Sequence, residues 1–97
     1  KGARVFVTAY SSINTGVDLY LRTSLSANGV VHAAQNWTRL KCDVPRDKST
    51  TKGQFLEYEF YREDMPEFDA FDLKIVMTSK EKHDVPVIKN YRAIMII

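Results

Sequence analysis

A chain of 97 residues with one cysteine, Cys42, cannot form an internal disulfide. Small secreted domains often carry such staples, so their lack here leans toward synthesis inside a cell. No stretch approaches the roughly 18–20 apolar residues of a membrane-spanning helix. No signal-peptide pattern stands at the start. The chain opens at Lys1 without a methionine, as an excised or processed piece of a longer chain would. Charge of either sign is not in excess: the formal net charge is +2. The loosest basic cluster, Lys41, Arg46, Lys48 and Lys52, is interrupted by acids. A nucleic-acid surface needs a dense basic face with stacking aromatics, so neither nucleic acid nor membrane is an expected partner. Internal repeats, low-complexity tracts and a convincing helical period are also missing.

What is present is ordinary globular material, 44% apolar and 27% charged, in the length of one domain covering residues 1–97. Such a chain buries about 60–65% of the surface it exposes when unfolded, so each element matters to stability. The dominant signal is a period of two. Arg4 to Tyr10 sets Val5, Val7 and Ala9 against Phe6, Thr8 and Tyr10. After the turn chemistry of Ser11 to Gly16, Val17, Leu19 and Leu21 alternate with Asp18, Tyr20 and Arg22. These two runs read as a hairpin, or as strands facing each other across two sheets. Trp37 to Lys41 is a short strand candidate between the polar loops Ser24–Asn36 and Cys42–Gly53. Gln54 to Arg62 alternates again, with Leu56, Tyr58 and Phe60 on one side and Phe55, Glu57, Glu59 and Tyr61 on the other. Met65-Pro66 breaks the chain within Glu63–Ala70, which has room for one helical turn. Phe71, Leu73, Ile75 and Met77 then share one face of a strand, and Val87 to Ile97 forms the last, apolar to its end. That tail is expected to be covered, by this domain or by a neighbouring part of a longer parent chain.

About six to eight short alternating runs between turns predict an all-β fold, an antiparallel β-sandwich of jelly-roll or immunoglobulin-like topology. The expected core is Val5, Val7, Leu19, Leu21, Trp37, Leu40, Tyr58, Phe60, Phe71, Leu73, Ile75, Ile88, Ile94 and Ile96.

Catalytic and metal patterns are weak. His32 and His83 lie in separate polar loops, and only Cys42 could add a thiolate, so no zinc spacing forms. Cys42 lacks a neighbouring base and reads as a small hydrophobe or a bystander. Glu57 and Glu59 share one strand face, the pattern of a solvated surface rather than of a paired-carboxylate cleft. Asp64, Glu67, Asp69 and Asp72 lack the wrapped spacing of a calcium loop. Lys80 to Asp84 reads as a charged turn of a terminal hairpin, and Asn36-Trp37-Thr38 is a sequon whose tryptophan looks like core. No catalytic residue, cofactor or metal is therefore expected. Tyr10, Tyr20, Tyr58, Tyr61 and Tyr91 could line a sugar-binding face, although tyrosines are also good sheet formers. Arg92, inside the last apolar strand, needs an acid or an edge. Asp72 or Asp69 on the neighbouring strand, or a neighbouring subunit, are its candidate partners. Tyr20, Tyr61 and Arg92 are the candidate binding residues.

One larger pattern remains. Phe68 to Ser79 (FDAFDLKIVMTS) and then Val85 to Ile94 (VPVIKNYRAI) resemble a block in virion structural proteins of tailed bacteriophages, notably those infecting cyanobacteria. These are tail, baseplate and fibre-associated proteins. Gly16 to Arg22, Trp37 to Leu40 and Phe55 to Phe60 fit the same family in order. Its usual ending is closer to R-A-I-A-L than to the Arg92 to Ile97 run here. The resemblance implies a non-enzymatic viral protein assembled in the host cytoplasm into the virion. Its expected partners are other virion structural proteins, through the loops Ser24–Asn36 and Cys42–Gly53, with a homotrimer as the expected oligomer. The alternative is a carbohydrate- or receptor-binding sandwich directed at a host-surface glycan.

Overall fold

A computed structural model describes residues 2–25, 36–44, 48–51 and 53–96. The side chains of residues 43 and 44 are not among those described. His32, Arg46, Lys52 and most of the loop Ser24–Asn36 lie outside the described residues, as does part of Cys42–Gly53. The described chain is all β: β1 Gly2–Tyr10, β2 Thr15–Ser24, β3 Thr38–Arg39, β4 Lys41–Val44, β5 Leu56–Arg62, β6 Ala70–Ser79 and β7 Val87–Ile96. They form two antiparallel sheets, sheet A in the order β4-β5-β1-β7 and sheet B in the order β3-β2-β6. The predicted sandwich is what the residues build.

Alternation explains the core. Ala3, Val5, Val7 and Ala9 from β1, Tyr58 and Phe60 from β5, and Leu19 and Leu21 from β2 are all buried and packed together between the sheets. Leu73 and Ile75 of β6 and Ile88 of β7 pack against them, half-buried. β1 and β2 are not a hairpin: the short turn hands the chain from one sheet to the other, the second of the two expected arrangements. The same holds for β6 and β7. Lys80–Asp84 does turn, with the Asp84 N–H donating to the Glu81 carbonyl at 3.0 Å, but it joins two sheets rather than two paired strands.

Four expected core residues are not core, and each has a local cause. Lys89 is an extra residue in β7: Thr8 pairs with Asn90 but Ala9 pairs with Ile88. This bulge reverses the alternation beyond it. Tyr91, Ala93 and Met95 therefore stand opposite Val7, Val5 and Ala3, while Ile94 and Ile96 point outward, 45% and 52% exposed. Trp37 lies on the outer face of sheet B between two cations, 4.3 Å from the Arg22 guanidinium and 4.5 Å from the Lys74 ammonium, measured to its ring. Phe71 sits at an exposed end of β6.

The predicted strand Trp37–Lys41 splits at Leu40. β3 pairs with β2 in sheet B and β4 pairs with β5 in sheet A, so the chain changes sheets at this one buried residue. In place of a helical turn, the described stretch 63–69 is irregular and plugs one end of the sandwich with Met65 and Phe68, both buried.

Candidate functional site

Two features of the surface exceed what the fold requires. The first is an open cleft at the end where β1, β5 and β6 meet their turns. Its volume is about 760 Å³, and its wall sets Tyr10, Ser12, Asn14, Lys48, Gln54 and Asp84 beside the apolar Ile13 and Leu56. Asp84 is its hub. Tyr10 Oη donates to Asp84 Oδ1 at 2.7 Å, and Ser12 Oγ and Asn14 Nδ2 donate to Oδ2 at 2.5 and 3.3 Å. The bond to Asp84 holds the Tyr10 hydroxyl above the usual phenol range, and burial adds to this. Residues 48–50 are tied in by a reciprocal pair: the Ser11 N–H donates to Ser49 Oγ at 3.2 Å and the Ser49 N–H donates to the Ser11 carbonyl at 2.8 Å. Lys48 Nζ donates to Ser11 Oγ and to the Thr15 carbonyl, at 3.1 and 2.8 Å. Most of the polar atoms in this wall thus satisfy one another, and their first effect is to latch three turns together. The sequence shows Lys80–Asp84 only as a solubilising turn. The signal for the latch is the pairing of one acid with the hydroxyl-rich run Ser11-Ser12-Ile13-Asn14.

The second feature is the open side of the sandwich. β3 and β4 are consecutive through Leu40, so the sheet edges they occupy lie on one side. The remaining edges, β6 and β7, lie on the other. There, among the described residues, no further strand covers the core. Val7 is 0% exposed, whereas Tyr91, its partner one strand further out, is 59% exposed. Met77 on β6 is 53% exposed, although its partner Val17 packs against the core. Phe71 near one end of β6, Val87 at the start of β7, and Ile94 and Ile96 on the outer face of β7 are exposed on the same two strands. Large exposed hydrophobic side chains are concentrated on these two edge strands, the kind of surface that marks an interaction site.

The predicted binding residues are not gathered. Tyr61 and Arg92 share the outer face of sheet A, flanking Arg4 and Phe6 on β1. Tyr20 is on the outer face of sheet B, with the Lys74 ammonium 5.2 Å from its ring. The five tyrosines do not make one sugar-binding face: Tyr58 is core, Tyr10 belongs to the Asp84 latch, and the others point three ways. The expected ion pair of Arg92 with Asp72 is also corrected. Register places Arg92 opposite Phe6, with its guanidinium 4.4 Å from that ring. Asp72 instead accepts a 2.8 Å bond from Arg22 Nε in the other sheet.

Glu59 forms an ion pair with Arg4, while Glu57 is exposed on the same face. Cys42 is exposed in β4 and not a core hydrophobe. His83 is exposed, and no group of three or more metal-binding side chains gathers among the described residues. No described helix is long and apolar enough to cross a membrane.

Comparison of the chain with models of protein families, with curated proteins and with solved structures finds no match.

Proposed function

We propose that this chain is a non-enzymatic structural module of a tailed-phage virion, docking to other virion proteins through the open side of its sandwich. The observation that carries the reading is the uncovered β6/β7 margin, where side chains of core type stand in solvent on two strands that each end a sheet. An isolated sandwich gains nothing from such a surface, and an assembled one buries it. The resemblance of residues 68–79 and 85–94 to virion proteins supplies the class of assembly. The docking surface is thus strand edge and sheet face, in addition to the loops named from sequence.

Immunogold labelling tests the reading directly. An antibody raised against the chain is expected to decorate the tail or baseplate of particles from a phage that carries this sequence. Label confined to the particle-free lysate would overturn it.

A second reading has one observation in its favour. The cleft around Asp84 sets hydroxyl, amide and ammonium groups beside the apolar Ile13 and Leu56, a mixed lining of the kind that holds a sugar. A glycan array decides this point: a specific saccharide retained by the chain and lost with Gln54→Ala supports a receptor-binding module. The internal bonding of Tyr10, Ser12 and Asn14 to Asp84 makes the docking reading the stronger one.

A further inference from the structure

β7 has three properties that define what can cover it. First, its outer edge is regular and has no partner strand among the described residues. Among the described residues β7 pairs with β1 alone, and beyond the bulge at Lys89 the ladder from Asn90 to Ile96 is uninterrupted. No proline falls within it. Backbone N–H and C=O groups along such an edge pair readily with another extended chain.

Second, the margin is apolar on both sides of the strand. Tyr91, Ala93 and Met95 lie on the core side, with Tyr91 and Ala93 exposed. Ile94 and Ile96 lie on the outer side, also exposed.

Third, its charge is of one sign. β7 contains Lys89 and Arg92 and no acid. Among the described residues, Lys89 and Arg92 meet rings rather than carboxylates: the Lys89 ammonium is 5.8 Å from the Phe55 ring and the Arg92 guanidinium 4.4 Å from that of Phe6. Arg4 on the same outer face has Glu59 and Glu63. A second copy pairing β7 with β7 would bring two Lys89 and two Arg92 into one seam with no acid supplied by either strand. Charge therefore selects a different occupant.

We infer that an extended, acidic segment of a partner protein adds to β7 as a further antiparallel strand of sheet A, its apolar side chains over Tyr91, Ala93 and Met95 and a carboxylate opposite Arg92. The inference rests on the docking reading and adds the partner's chemistry and polarity to it. Main-chain bonds supply affinity, alternate side chains supply register, and the carboxylate rejects basic competitors.

The probes are two short blocked peptides that alternate valine with threonine, one with a central aspartate and one with lysine in its place. They are titrated into the isotopically labelled chain, with amide hydrogen exchange read along β6 and β7. The aspartate peptide is expected to bind about tenfold tighter than the lysine peptide, the effect of losing one attractive surface pair and gaining one repulsive pair. Amides from Asn90 to Ile96 are expected to gain protection, and Arg92→Glu is expected to invert the preference. Should Arg92→Glu not fold, Arg92→Gln is expected to abolish the preference. Protection confined to β6, or equal affinity for both peptides, overturns the inference. So does self-association with β7 protected and no peptide bound, which makes a second copy the occupant. None of these results moves the immunogold label, so failure of the inference is distinguishable from failure of the docking reading.

Discussion

Tyr10 and Asp84, 74 residues apart, are joined by a 2.7 Å hydrogen bond that fastens the end of β1 to the turn leading into β7. Asp84 also holds Ser12 and Asn14, so one carboxylate organises the first turn of the chain from the far side of the fold. Hydrogen bonds to a charged group contribute about 1.5–3 kcal/mol each when one partner is lost, with the lower end fitting a part-exposed site. Asp84→Ala is therefore expected to destabilise the chain by about 2 kcal/mol. A thermal melt would show this as a fall of roughly 8–16 °C for a domain of this size. A melt unchanged within a degree would show that the latch is ornamental.

Alkaline pH acts on the same contact. The Tyr10 hydroxyl titrates above its ordinary value of 10.0 because of its bond to Asp84. Tyr58 is also raised, by burial first and then by the Cys42 thiolate. A raised folded-state value means that the folded chain holds these protons more tightly than the unfolded chain. Their stabilising contribution is complete below about pH 10, the ordinary phenol value, and is lost as pH rises through the folded-state values. Melting temperature is expected to fall steeply above that pH, and less steeply in Tyr10→Phe. Equal slopes in the two proteins would remove Tyr10 from the account.

Core and margin are expected to respond in opposite ways. Leu19 is fully buried, so Leu19→Ala should cost about 3–5 kcal/mol, a large share of the roughly 5–15 kcal/mol that holds a typical domain. Phe71→Ser, at a 43% exposed position, should shift stability by no more than about 1 kcal/mol. Chemical denaturation measures both. A large loss from Phe71→Ser would mean that the β6 margin is internal core and not a docking surface.

The bulge yields a sharper test. Removing Lys89 leaves Ile88 next to Asn90, which matches the Ala9 and Thr8 pairing already present. The deletion is expected to fold with an unchanged core. Removing Phe6 instead shifts Ala3 and Val5 off the buried face and should abolish cooperative unfolding. Amide NMR spectra of the two deletions distinguish the outcomes.

The sandwich is legible in the sequence because Val5-Phe6-Val7 and Leu19-Tyr20-Leu21 alternate without interruption, and burial tracks that alternation directly. Strand partners are not legible, because the turns after Tyr10 and Ser79 are as short as hairpin turns yet carry the chain between sheets. Nothing in Val87–Ile97 marks Lys89 as surplus, so simple alternation puts Ile94 and Ile96 on the wrong side. Met65 and Phe68 escape a reading by period because an irregular stretch has none. Trp37 looks like core by its size, whereas two cations cover it at the surface. The exposed margin has one visible cue, an apolar final strand interrupted by Arg92, and the acid expected beside that guanidinium is one that Arg22 already holds.

The register of β1 with β7 carries a mechanical consequence. Gly2 pairs with Ile96, so both ends of the described chain leave from the same end of one ladder. Tension applied between them would part the two strands one rung at a time, like a zip, instead of shearing every rung together. Pulling on the two ends would therefore load the Gly2–Ile96 end of the β1/β7 ladder before any other pairing in sheet A.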